Sequence, residues 1–172
     1  GIDVRDVSRK SLAGQMSMVL QEPFLYSESI SSNIRFNHDA VTQEQIQAAS
    51  RAVGAHDFIM RLPNGYETVL EQRGANLSMG QRALVSMARA IVSEPRILIL
   101  DEATANMDSE TEHRLQEALK VVLQGRTSLL IAHRLSTITN ADKIVVLEHG
   151  HIVEAGKHQE LLANDGVYAR LY

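Results

Sequence analysis

Ile97-Leu98-Ile99-Leu100-Asp101-Glu102-Ala103-Thr104, with Asp108 just beyond it, is the stretch from which the fold of this chain is read. Four consecutive apolar residues, bounded by Pro95 upstream and two carboxylates downstream, predict a strand buried on both faces of a parallel sheet. In open α/β sheets ligands lie beyond the carboxyl ends of the strands, so Asp101 and Glu102 emerge where a ligand would sit. Two adjacent acids can divide the work: one holds a hydrated divalent cation beside phosphates, and the next polarises an attacking water. The competing reading of the same residues is a strand that ends in a solvated acidic turn.

Outward from that strand, the chain has 172 residues, 44% of them apolar, enough for one domain with a real core. A formal charge of -4 gives no electrostatic footprint for nucleic acid. Cysteine is absent, which excludes disulfide scaffolds and thiolate metal sites. No apolar run approaches the roughly 18 residues of a membrane span.

Upstream, Ser17-Met18-Val19-Leu20 is a short strand ending on Gln21, with Glu22-Pro23 unable to continue a ladder. Phe24 to Phe36 is loop-like, and its aromatics are either packed beneath it or offered to a partner. From Thr42 to Met60 the period becomes helical, with Thr42 and Gln45 as a capping box and Gly54 as an interruption. Pro63-Asn64-Gly65 is a turn. A second short helix carries Phe58, Ile59 and Leu62, and Leu77-Ser78-Met79-Gly80-Gln81 opens a further, amphipathic helix, in which Leu84, Met87, Ala88 and Ile91 recur at helical spacing. Ser78 and Gln81 are its capping box, and a helix start with Gly80 beside it suits a phosphate as well as an ordinary cap.

Downstream, Ser109 to Gly125 predicts a helix, Thr127 to Ala132 a strand ending on His133, and Ile144 to Leu147 a further strand. His149-Gly150 turns into Ile152-Val153, and one or two short helices close the chain. His149, His151 and His158 have no acidic partner at metal spacing and are expected at the surface. Three strands thus deliver polar groups at their carboxyl ends: Gln21, Asp101 with Glu102, and His133. An amide, two acids and an imidazole along one sheet edge suit a site where a metal-bound phosphate is attacked by water.

These residues resemble the nucleotide-binding domain of ATP-binding cassette (ABC) transporters along essentially the whole chain. Gln21 matches the Q-loop glutamine, Leu77 to Gln81 the LSGGQ signature, Ile97 to Glu102 Walker B with its glutamate, Ala105 to Asp108 the D-loop, and His133 the switch histidine. Ser29-Ile30 to Asn33-Ile34 and Ile131 to Thr137 are similar to segments of multidrug and lipid exporters. The resemblance implies an α/β fold of the P-loop NTPase (RecA-like) kind, a parallel sheet core with an α-helical subdomain. Residues 1–36 would form the Q-loop region, 37–93 the helical subdomain and 94–172 the Walker B, D-loop and H-loop part of the core.

It further implies ATP and Mg²⁺. Asp101 would hold Mg²⁺ through water, and Gln21 would sense Mg²⁺ and the attacking water. Glu102 would be the general base and His133 would position the γ-phosphate. Ser78 and Gly80, with Gln81 beside them, would contact ATP bound to a second nucleotide-binding domain in a head-to-tail dimer, and Asp108 would lie at that interface. Coupling helices of a transmembrane domain would dock on Phe24 to Phe36, and the domain would work at the cytoplasmic face of the membrane. Alternatives are a non-hydrolytic module that lends only its signature motif, and a soluble ABC ATPase.

Met79 replaces the first glycine of LSGGQ, and Gln72 precedes Arg73 in the loop before it. The phosphate loop G-x-x-x-x-G-K-[ST] is absent: only Lys10-Ser11 pairs Lys with a hydroxyl residue, and Val4 and Arg9 stand at the glycine places. The expectation is that the chain is the carboxyl-terminal portion of the domain, without the phosphate-loop portion, and inactive alone.

Overall fold

The chain, seen in a computed structural model that describes residues 2–101, 109–131 and 138–171, builds its sheet around the apolar run. Strand β1 (Met16–Val19) pairs in parallel with β2 (Ile97–Asp101), in a register running from Met16 opposite Ile97 to Val19 opposite Leu100. Strand β3 (Thr127–Ile131) completes the order β1-β2-β3, so β2 is the inner strand. Leu98 and Leu100 are buried, whereas Ile97 and Ile99 are only half-buried. The expected burial on both faces is therefore complete on one face, and the described residues cover the other only in part. Strand β1 starts one residue earlier than its sequence suggests, because the Gln15 carbonyl accepts the Arg96 and Ile97 N–H groups and aligns the strands from there.

Two compact units divide the chain, Gly1–Leu129 and Leu130–Tyr172. In the first, α1 (Arg9–Ala13) precedes β1, and α2 (Ile30–Arg35), α3 (Gln43–Ala52), α4 (His56–Arg61) and α5 (Met79–Ile91) lie between β1 and β2. Helix α6 (Ser109–Leu123) follows β2. Residues 37–93 thus hold three α-helices, two short 3₁₀ helices and no strand. Ile30, Ile34, Ile46, Ile59 and Val85 are buried without exposure and unite these helices in an apolar core. Gly54, at φ 73°, makes the sharp turn that separates α3 from α4, a conformation that would strain a side chain.

The capping box read at Thr42 is present: the Thr42 N–H donates to Gln45 Oε1 at 2.8 Å and the Gln45 N–H to Thr42 Oγ1 at 3.4 Å. Thr42→Ala removes one side of that exchange and is expected to lower stability by about 1 kcal/mol, read as a shifted denaturation midpoint at unchanged slope.

In the second unit, β4 (Ile144–Glu148) and β5 (His151–Gly156) form an antiparallel hairpin, turned by His149 and Gly150 at φ 48° and 80°. Both central residues at positive φ match the turn twist that hairpins favour. Helices α7 (His158–Ala163) and α8 (Val167–Leu171) close the unit over a core of Ile144, Val146, Leu161 and Tyr168.

One histidine departs from expectation. His158 is buried, with Nδ1 2.7 Å from the Tyr168 hydroxyl, and Glu154 accepts the Tyr168 backbone N–H at 2.7 Å. His158, Leu161 and Leu162 sit at i, i+3 and i+4, so the imidazole belongs to the inward stripe of α7 rather than to the surface.

Candidate functional site

The β1–β2 register decides which groups share an edge. Val19 lies opposite Leu100, so the chain leaving β1 through Leu20 to Gln21 and the last residue of β2, Asp101, emerge from the same carboxyl edge of the sheet. Gln21 is exposed and Asp101 half-buried. The amino-terminal ends of β2 and β3 are tied by the Thr127 N–H, which donates to the Arg96 carbonyl at 3.0 Å, so these strands start at one edge as well. Glu102, Asp108 and His133 lie outside the described residues.

Ser78 is the N-cap of α5 and is exposed. Its N–H donates to Gln81 Oε1 at 2.9 Å, and its Oγ accepts the Gln81 N–H at 3.2 Å. The two residues fix the helix entry, and Gln81 spends its side-chain oxygen on the cap. Met79, the residue that departs from the signature pattern, is 47% exposed, so its bulk meets no core requirement. Gly80 is buried, and a Cβ there would overlap Thr111 Cγ2 of α6. The glycine therefore permits the close approach of α5 to α6, a role that local sequence does not display.

A cleft of about 420 Å³ opens beside this helix start, with Asp57 and Arg61 of α4, Ser78 and Gln81 of α5, and Thr111 and Arg114 of α6 on its walls. Arg114 pairs with Glu110 at 2.6 Å, an exposed i, i+4 bridge of small energetic worth.

The segment after Gln21 is better ordered than a loop. Ser29 caps α2, its Oγ accepting the Ser32 N–H at 3.1 Å. Phe24 and Tyr26 meet edge to face at 5.0 Å, and Tyr26 stacks with Phe36 at 5.6 Å. Leu25 is fully buried, yet Phe24 and Tyr26 are 48% and 42% exposed. The aromatics thus pack on one another and still present a surface.

Gln21 and Asp101 supply oxygen donors, and the chain has no cysteine, a donor set that fits Mg²⁺ and not a thiolate-bound metal. No helix among the described residues is long and apolar enough to cross a membrane.

Comparison with known proteins points the same way. The family model described as ABC transporter matches residues 1–105. The ABC transporter ATP-binding protein YknV of Bacillus subtilis, itself uncharacterized, is 53% identical over 99% of this chain and 28% of its own length. A Staphylococcus aureus protein named as a multidrug export ATP-binding/permease protein is 48% identical over 100% of this chain and 30% of its own. The chain therefore spans under a third of the curated relatives it matches. A solved structure of a bacterial Atm1-family ABC exporter with ATP bound superposes with a TM-score of 0.88 at 39% identity, covering 99% of this chain and 30% of that one. The parallel β1–β2 pair, the capped Ser78 helix and these similarities together make the chain a member of the ABC transporter family, with the α/β fold of its ATP-binding domain.

Proposed function

We propose that the chain is part of the ATP-hydrolysing engine of a membrane exporter, working at the cytoplasmic face of the membrane, with residues 37–93 as its helical subdomain. The observation that carries this reading is the parallel register that sends Gln21 and Asp101 out of the same sheet edge. The names of the relatives supply the exporter class.

In this reading Asp101, with Gln21, would hold Mg²⁺, which when bound would neutralise charge beside the phosphates of ATP. Glu102 accepts a proton from the attacking water. The water oxygen bonds to the γ-phosphorus, the bond to the β,γ-bridging oxygen breaks, and ADP and phosphate leave. His133 donates to the γ-phosphate and holds it in line, a positioning effect rather than a proton transfer. Ser78 and the N–H groups at the start of α5 face ATP held by a second nucleotide-binding domain, with Asp108 at the shared surface. Two such domains close head to tail on ATP and reopen after hydrolysis. The aromatic surface of Phe24 and Tyr26 receives the coupling helices of the membrane domain, which pass this motion on.

The backbone cradle and lysine of a phosphate loop supply much of the grip on ATP. The 172 residues contain no such motif. A polypeptide of these residues alone is expected to give no saturable ATP binding in the micromolar range and no ATPase activity above background. The whole transporter in lipid is expected to hydrolyse Mg-ATP. Hydrolysis by the 172-residue polypeptide that Glu102→Gln abolishes would contradict the first expectation, and a whole protein unable to bind ATP would contradict the function.

A further inference from the structure

Arg89 lies in the last turn of α5, eleven residues from Ser78, or about 16 Å along the axis at 1.5 Å per residue. Its guanidinium spends three donors on the segment that follows Gln21. Nε donates to the Asn33 carbonyl at 2.7 Å, Nη2 to Asn33 Oδ1 at 2.8 Å, and Nη1 to the Phe24 carbonyl at 2.8 Å. The cation also lies 5.1 Å from the Phe36 ring centre and 6.0 Å from that of Tyr26, within range of a cation–π attraction.

Asn33 is the other half of the clamp. It is 1% exposed, its Oδ1 accepts the Tyr26 N–H at 2.8 Å, and its Nδ2 donates to the Tyr26 and Ser29 carbonyls, both at 3.0 Å. One amide and one guanidinium therefore pin Phe24, Tyr26, Ser29 and Phe36 to the rear of α5. Among the described residues no carboxylate pairs with Arg89. Burial pushes its pKa down, yet a guanidinium stays charged at physiological pH. A cation held only by carbonyl oxygens and ring faces is an expensive way to pack two elements. Its planar fork, however, fixes relative position in a way that an apolar contact does not.

We propose that Arg89 is a positioning residue that locks the aromatic surface of Phe24, Tyr26 and Phe36 to helix α5, so that movement of the Ser78 end of the helix and movement of that surface are one event. The inference rests on the proposed function, in which Ser78 faces nucleotide and the aromatic surface faces the membrane domain. Two properties of the clamp carry it: it joins the far end of the Ser78 helix directly to the exposed aromatics, and it does so through hydrogen bonds that only a fork supplies.

The test uses the whole transporter in lipid, in a Glu102→Gln background that retains ATP. Hydrogen exchange of residues 24–36 is followed with and without Mg-ATP. Without further change, ATP is expected to slow exchange in this segment. Arg89→Lys keeps the charge and removes the fork, and Asn33→Ala removes the acceptor from the opposite side. Each is expected to abolish the ATP-dependent difference in exchange. In a Glu102 background, each is expected to leave KM for ATP within about twofold and to lower kcat several-fold. A residue that merely stabilises the fold would raise exchange equally in both states and leave the difference intact. An unchanged ATP-dependent difference in both variants overturns the proposal. If ATP fails to alter exchange in residues 24–36 even with Arg89 and Asn33 in place, the assignment of that surface to the membrane domain falls, and this route falls with it.

Discussion

Replacing Glu102 by glutamine in the whole transporter is expected to slow ATP turnover by about 10²- to 10⁴-fold, the range that general-base removal produces, while ATP binding persists. The amide is isosteric with the carboxylate but cannot take the proton of the attacking water. In the proposed site neither Asp101 nor Ser78 depends on that proton, so both would continue to hold Mg²⁺ and nucleotide. The outcome is read as a kcat that collapses with little change in the ATP concentration for half-maximal binding, and with closed, nucleotide-filled pairs accumulating. Glu102→Asp should recover little, because the shorter side chain withdraws the base by about one methylene from a geometry that tolerates little misplacement. Turnover near wild type in Glu102→Gln would remove this residue from the chemistry.

Gly80→Val is expected to destabilise the packing of the helix that opens at Ser78. Glycine inside a helix costs about 1 kcal/mol relative to alanine, so helix propensity alone favours replacement by almost any residue. Packing opposes this more strongly. A Cβ at position 80 overlaps Thr111 Cγ2, and valine adds two methyl groups in the same place. Thr111 is β-branched and sits in the first turn of α6, where its rotamer freedom is small. Overpacking of this kind costs about 1 to 3 kcal/mol, which outweighs any helical gain. A lowered denaturation midpoint is expected, and Thr111→Ala in the Gly80→Val background should recover part of it, giving a non-additive pair. Additive effects would mean that the two residues do not press on each other.

How far the sequence reveals the molecule depends on whether the determining contact is local. The capping boxes at Thr42–Gln45 and Ser78–Gln81 complete themselves within four residues, and both are formed as read. The apolar run at Ile97 to Leu100 also reads directly, since its composition reports its inner place in the sheet. Helix α2 is harder to see, because Ser29 caps it without a Glu or Gln at the third position and the flanking aromatics break the period. Helix α1 has only Ser8 and a polar turn to announce it.

Long-range contacts leave no such trace. The Arg89 clamp joins positions 56 and 65 residues apart, and nothing near Arg89 announces its acceptors. The reason for glycine at position 80 lies on a different helix. His158 is the intermediate case: Leu161 and Leu162 at i+3 and i+4 mark an apolar stripe in the sequence, but the Tyr168 hydroxyl that satisfies the imidazole comes from another helix. Of the candidate site, the residue types and the shared edge of Gln21 and Asp101 follow from the motifs and the register. The position of Ser78 relative to a partner's nucleotide is a proposal about two chains, which the order of residues in one chain implies only through resemblance.

The arrangement of two chains is open to a direct test with differently tagged copies of the whole transporter, purified as mixed pairs and assayed for ATP hydrolysis in a single turnover. Glu102→Gln in one copy and Ser78→Phe in the other should disable the same composite site twice and leave the second site hydrolysing. The same two substitutions in one copy, paired with an unaltered partner, should disable both sites and abolish hydrolysis. Equal activity of the two pairings would contradict the shared, head-to-tail site on which the account depends.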